Sequence, residues 1–126
     1  MKNTLRLGEA IYSILRDFER VYPVVADQGT KFPFIIYKRS SGYTQSAKDG
    51  IYSVTANVDI LVASSDYDSG IDLAEKVKNR LEATRGIHAD FDIWGIRMIN
   101  CNESNIDNAY IQELTFAVEF STDLPH

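Results

Sequence analysis

Two long stretches of alternating apolar and polar side chains constrain the fold of this chain more than any other feature. In the first stretch, which begins at Ile51, the apolar side consists of Tyr52, Val54, Ala56, Val58, Ile60 and Val62. In the last stretch, 109–121, the apolar side consists of Leu114, Phe116, Val118 and Phe120. A period of two is typical of strands with one buried and one wetter face, as in an antiparallel sheet.

Two amphipathic helices are predicted from apolar residues at helical spacing. The first covers 4–19, and its apolar residues are Leu7, Ile11, Ile14, Leu15 and Phe18. The second covers 67–84, and its buried stripe is Ile71, Ala74, Val77 and Leu81. Pro23 prevents the first helix from continuing, and Gly86 follows the second where a helix end favours a left-handed residue.

Two further strands are predicted after Pro33, as far as residue 40, and over 93–101. Polar segments between these elements are predicted as loops or turns: 40–50, 88–92 and 102–108. The resulting order is helix, strand, strand, helix, strand, strand. This order predicts an α+β fold in one domain over 1–126, a two-layer sandwich in which two helices pack on one face of a mainly antiparallel four-stranded sheet.

Charge and cysteine content exclude several classes of protein. The 126 residues carry a net charge of −5, whereas a generic nucleic-acid binder needs a basic surface. The charge is uneven: +4 over 1–48, −4 over 49–99 and −5 over 100–126. Such asymmetry either helps like subunits associate head to tail or is solvated surface. Cys101 is the only cysteine, so no intrachain disulfide is possible, and the absence of a signal-like or membrane-spanning run predicts a cytoplasmic location.

The segment SSDYDSG, between a strand and a helix, has the position and some of the residue types of a phosphate or calcium loop. A calcium loop starting at Asp66 would need glycine at its sixth position and glutamate at its twelfth, where this chain has Ile71 and Val77. A phosphate loop needs several glycines and a lysine, and only Gly70 is present. The segment is therefore predicted to cap a helix through Asp66, Asp68 or Ser69.

No constellation of catalytic or metal-binding residues emerges from the sequence. His88, Asp90 and Asp92 alternate in an extended segment but lack further ligands elsewhere, so an exposed turn is favoured. Cys101 with His88 would need an orienting third residue, and a lone cysteine in a strand is usually a small buried hydrophobe. The aromatic residues are predicted to pack in the core, because the last strand lacks the lysines and arginines of a base-stacking sheet. The prediction is a non-enzymatic protein without a cofactor or metal.

The order, spacing and size of these elements resemble the tail-completion, or tail-terminator, proteins of long-tailed bacteriophages and prophages. The stretches that carry the resemblance are VYPVVADQG, FPFIIYKRSSG, YSVTANVDILVAS, YDSGIDLAEKVKNRLEATRG and YIQELTFAVEFS. The resemblance implies a structural protein whose ring, usually a hexamer, caps the tail tube, ends its polymerisation and joins it to the head. The implied partners are further copies of the chain, the tail-tube protein and the head-completion protein. DNA would pass through the ring without specific binding, no membrane is involved, and the protein would move from the host cytoplasm into the virion tail.

Subunit contacts in such a ring are predicted in the segment after the first strand, from its position and expected exposure. The residues are Arg39, Tyr43, Lys48 and Asp49. A ring requires a heterologous interface whose rotation closes, and sheet edges with this segment would provide the reach between neighbours. Acidic residues in the lumen would keep DNA from adhering.

Other functions remain open at this point. Head–tail joining and tail-tube proteins of the same particles are also small α+β proteins. A dimeric ligand-binding or regulatory domain is a second alternative, which a bound ligand would favour. A small enzyme is a third, which His88 or Cys101 in a deep cleft would support.

Overall fold

The computed structural model describes residues 4–48 and 51–121, with the backbone alone at 4, 41–48 and 51–52. A short 3-10 turn, Thr4–Arg6, leads into helix α1, Leu7–Leu15, and strand β1, Val21–Pro23. Strands β2, Phe34–Lys48, and β3, Ile51–Ser64, precede helix α2, Tyr67–Glu82. The chain continues through β4, Gly86–His88, β5, Phe91–Ile106, and β6, Ala109–Ser121. No helix in this described part of the chain is long and apolar enough to cross a membrane.

The six strands form one mixed sheet in the order β1-β2-β3-β6-β5-β4. Strand β1 runs parallel to β2, and every other neighbouring pair is antiparallel. The fold remains α+β, but the prediction of a two-layer sandwich with a four-stranded sheet is wrong: the sheet has two additional short strands and curls into a half-barrel. Helix α1 contacts β1 and β2 towards one edge and also β4 at the other edge, which requires such curling. The twist between adjacent strands accumulates across six strands, so a flat layer is not expected.

Both long hairpins extend further than the sequence analysis predicts. Strand β2 continues through most of the predicted loop 40–50, and β5 continues to Ile106 through most of the predicted loop 102–108. The turn between β5 and β6 consists of Asp107 and Asn108, with φ of 51° and 66°, as a two-residue hairpin turn requires. Ladder hydrogen bonds hold these polar arms as strands, although neither arm has the apolar face that produces an alternating pattern.

The core lies between the two helices and one face of the sheet, which we call the core face. Its largest fully buried side chains are Phe91, Phe116, Phe120, Leu7, Ile11, Leu15, Ile35, Ile60, Leu81, Ile93, Val58 and Val62. The rings of Phe91 and Phe120 meet edge to face across β5 and β6, with centroids 5.3 Å apart. The predicted apolar faces of β3 and β6 are therefore confirmed wherever their side chains are described. We call the opposite side of the sheet the open face, because the buried residues of both helices lie in the core cluster.

Helix α2 begins where the sequence predicts and for the predicted reason. The Asp66 carboxylate is the N-cap and accepts hydrogen bonds from the Ser69 N–H at 2.9 Å and from Ser69 Oγ at 2.8 Å. Its pKa is lowered, because both bonds from Ser69 favour the ionised form. A Cβ at Gly70 would lie only 3.2 Å from Cβ of Ser64, so the helix packs closely against the end of β3 there. SSDYDSG is a helix cap.

Candidate assembly surface

The two residues considered as a thiol nucleophile and its base lie far apart. His88 pairs with Phe91 at the beginning of β5, whereas Cys101 is exposed and pairs with Leu114 ten residues further along the same strand. At the usual rise per residue this separates them by roughly 30 Å. The prediction that Cys101 is a buried hydrophobe is wrong, because its side chain is exposed. Cys101 is also too far from His88 to form a catalytic pair with it.

The residues considered as metal ligands are engaged in local structure. His88 Nε2 lies 3.3 Å from the carbonyl oxygen of Arg85, and Asp92 accepts a hydrogen bond from Trp94 Nε1 at 3.2 Å. Asp90 occupies the β4–β5 turn with φ of 68°. Within residues 4–48 and 51–121, no three histidine, cysteine or acidic side chains are grouped as a metal site would require.

An open groove of about 550 Å³ lies beside helix α1. Its lining includes Leu5, Glu9, Tyr12, Arg16 and Tyr37. Burial raises the pKa of Tyr37 above its ordinary value. The groove is a mixed polar and apolar surface along one helix.

The outer edge of β2 is free over most of its length. Strand β1 pairs with β2 only as far as Tyr37, whose carbonyl oxygen also accepts the N–H of Val24 at 2.8 Å. From Lys38 to Lys48, no described residue pairs with this edge. Soluble proteins usually cover or shorten such edges, because a row of unpaired N–H and C=O groups recruits another strand.

The outer edge of β5 is covered at its beginning and free at its end. Strand β4 pairs with β5 as far as Ile93, and the Glu82 carboxylate accepts the N–H of Met98 at 3.1 Å. Beyond that point, residues 99–106 are all exposed, and no described residue pairs with their outer edge. Register shifts at Trp94 and Ile99 mark two bulges, which increase twist and change the direction of this arm.

The free arm of β5 is nevertheless held to the rest of the fold. Glu103 accepts a hydrogen bond from the Tyr67 hydroxyl at 2.9 Å and another from Gln112 Nε2 at 3.2 Å. The carboxylate raises the pKa of Tyr67 by accepting that bond. The Tyr67 ring also meets Tyr110 edge to face, with centroids 5.7 Å apart. Helix α2 therefore positions the arm.

The two free edges carry opposite charges. Residues 38–48 contain three basic side chains and no acid, namely Lys38, Arg39 and Lys48. The β5–β6 hairpin over 99–113 contains three acids and no lysine or arginine, namely Glu103, Asp107 and Glu113. Of these acids Glu103 lies on the free edge itself and Asp107 in the adjoining turn, so the basic edge of β2 and the acidic hairpin are complementary in charge.

The predicted contact residues fall on or next to the free edge of β2. Arg39 is exposed and pairs with Val58. Tyr43 and Lys48, expected in a loop, are strand residues that pair with Ala56 and Ile51, and their side chains lie outside the described residues, as does Asp49 entirely. The sequence analysis did not identify the β5–β6 hairpin as a contact surface. The Asp107–Asn108 pair and the lack of basic residues over 99–113 are the signals that point to it.

The described architecture is similar to that of a protein chain in the solved structure "Virion of native gene transfer agent (GTA) particle". The TM-score is 0.73 at 12% sequence identity, over 95% of this chain and 99% of the other. The two chains share a fold. At this identity the likeness concerns the fold alone. No protein-family model matches the sequence, and the search of curated proteins gives no match.

Proposed function

We propose that this chain is a non-enzymatic structural protein of a phage-like particle, and specifically a tail terminator. In this role a ring of copies, a hexamer as the family resemblance implies, ends polymerisation of the tail tube and joins it to the head. The observation that carries the proposal is the fold shared, over nearly the full length of both chains, with a chain of a gene transfer agent virion. The proposed partners are further copies, the tail-tube protein and the head-completion protein, first in the host cytoplasm and then in the virion tail.

The free edges support assembly into a ring. They lie on different strands and differ in charge, so contact between them joins two different surfaces of identical copies. Such a heterologous interface generates a ring when its rotation closes, whereas a dimer uses the same patch twice.

The open face is the surface we place towards DNA that passes through the ring. Strands β3 and β6, in the middle of the sheet, contain no lysine or arginine. Their open-face acids are Asp59, which accepts a hydrogen bond from Thr115 at 2.8 Å, together with Glu113 and Glu119. Carboxylates repel DNA phosphates, so DNA moves past this surface without binding it.

Deleting the gene from a phage or prophage that encodes it tests the proposal. If the chain is a tail terminator, the deletion strain should yield tail tubes longer than normal and heads without tails, visible by electron microscopy of the lysate. Supplying the wild-type chain from a plasmid should restore tails of one length attached to heads. Joined particles with tails of normal length in the deletion strain would contradict the proposal.

A further inference from the structure

We infer that neighbouring copies join by adding the free edge of β2 in one copy to the free edge of β5 in the next. The contact is an antiparallel strand pair between residues 38–48 and residues 99–106. This inference rests on the proposed function only in assuming that the chain assembles with itself.

Backbone N–H and C=O groups on the two free segments remain unpaired within the described part of the chain. Residues 38–48 and 99–106 form the long edges with which no described residue pairs, whereas β1 covers β2 at 35–37, β4 covers β5 at 91–93, and Glu82 accepts the N–H of Met98. The lengths of the two free segments are similar. Strand addition satisfies both rows of N–H and C=O groups at once.

The strand directions fit a ring. Three successive antiparallel steps separate β2 from β5, so the two strands run in opposite directions within one copy. Rotation about the ring axis carries one copy onto the next and keeps the sense of each strand along that axis. The new pair is therefore antiparallel, like the pairs that it extends.

The positions of the free edges predict a staggered contact. Lys38, Asp59, Thr115 and Asn100 lie in one row across the sheet. From this row the free edge of β2 extends towards one end of the sheet and that of β5 towards the other.

Aligning the middles of the two free edges shifts neighbouring copies by roughly seven rows, about 23 Å. Each copy contributes four strands, β2, β3, β6 and β5, so the repeat from one copy to the next across the strands is about 19 Å. Rotation without translation along the ring axis produces both this shift along the strands and this repeat across them when the strands tilt by roughly 50° from the ring axis. That tilt is near the one found in closed barrels.

Charge selects this pairing over pairing of like edges. Two β2 edges paired antiparallel about their middles would place Lys38 of one copy opposite Lys48 of the other. Two β5 edges paired in the same way would place the Glu103 residues of the two copies next to each other. Only the mixed contact brings opposite charges together, which steers association and suppresses the alternatives.

The single native cysteine supplies the test, because Cys101 is exposed on the free arm of β5 and shares the core-face register with Leu114. By the same register, positions 43 and 45 pair with the core-face residues Ala56 and Val54. We would introduce one cysteine per variant (Tyr43→Cys, Gln45→Cys or Ala47→Cys). Thr44→Cys and Ser46→Cys, on the other face of the same strand, are the matched controls.

Mild oxidation followed by a non-reducing gel should show ladders of covalent oligomers for positions 43, 45 or 47. The controls should give at least fivefold less ladder, since the side chains of adjacent strand residues point to opposite faces. The wild type should give at most covalent dimers through Cys101, and Cys101→Ser in the Gln45→Cys background should abolish the ladder. Circular dichroism checks that every variant is folded.

The outcomes separate the interface from the proposed function. Rings in solution without a ladder, or with equal ladders at all five positions, would overturn the interface and leave the terminator proposal standing. An alternating ladder together with normal tails in the deletion strain would support the interface and contradict the terminator. Folded monomers that form no ladder at millimolar concentration would overturn the inference.

Discussion

At the scale of the residue, Asp66 shows how one side chain decides where an element begins. Its carboxylate accepts two hydrogen bonds from Ser69 and sits at the positive end of the α2 dipole. This is also the residue that makes SSDYDSG look like a binding loop in the sequence. Capping explains why an acid stands at position 66 without a bound calcium or phosphate. It also predicts that the stability of the protein depends on pH.

Replacing Asp66 with alanine should lower the midpoint of thermal unfolding at pH 7 by several degrees, since the N–H and the hydroxyl of Ser69 lose their acceptor. The folded-state pKa of Asp66 is lowered, so its contribution to stability is present above the unfolded pKa of about 3.9. That contribution is lost as pH falls through the lower, folded-state value. The difference between wild type and Asp66→Ala should therefore shrink below about pH 4.

Asp66→Asn is the control for this experiment, because its amide oxygen keeps an acceptor without a titrating group. It should retain most of the stability of the wild type at pH 7. If Asp66→Ala and Asp66→Asn unfold at the same temperature as wild type across pH 3–7, Asp66 does not cap the helix.

At the scale of the element, Glu82 divides the outer edge of β5 into a covered and a free part. Its carboxylate accepts a hydrogen bond from the N–H of Met98. It also forms an ion pair with Lys78, whose Nζ lies 2.6 Å from Oε1 of Glu82. The pKa of Glu82 is lowered, first by Lys78 and then by the backbone of Met98. A side chain from α2 thereby occupies the outer edge of β5 at Met98, next to the point where the free arm begins.

Replacing Glu82 with alanine should lower the free energy of unfolding by about 1 kcal/mol, because the Met98 N–H loses its partner at a partly exposed site. Glu75→Ala, at an exposed position of the same helix, is the matched control and should change the value by less than about 0.5 kcal/mol. Urea unfolding of both variants measures the difference. Equal stabilities for the two variants would show that Glu82 does not hold this edge.

The elements that the sequence predicts well are those that bury an apolar face. Helix α2 and the faces of β3 and β6 follow from residues such as Val58, Val77 and Phe116, which are buried where their period places them. Strands β1 and β4 have three residues each, too few to show a period of two. The outer arms of β2 and β5 have polar residues on both faces, so only backbone pairing and the turn between β5 and β6 define them.

The candidate assembly surface could be predicted only in part for the same reason. Arg39 and its neighbours could be predicted from their position after an apolar strand and their expected exposure. The arm around Glu103 resembles a loop in the sequence, because it is polar on both faces and only the Asp107–Asn108 pair indicates that ladder pairing with β6 continues to Ala109. Complementarity between two surfaces becomes apparent only when the strand order places both at sheet edges.

At the scale of the whole molecule, the fold has two ends that do not match each other. One edge is basic and free towards one end of the sheet, and the other is acidic and free towards the opposite end. In the assembly we propose, copies satisfy these edges by joining head to tail, and closure then fixes the number of copies. Salt should weaken the assembly, since the Debye length falls from about 10 Å at 0.1 M to about 3 Å at 1 M.

The solution mass of the purified protein, measured by light scattering over a range of concentration and salt, tests the central claim most directly. We expect a shift from monomer to one discrete closed species near six chains as concentration rises. In low salt this species should form at a lower concentration. A stable dimer that neither grows with concentration nor responds to salt would contradict it.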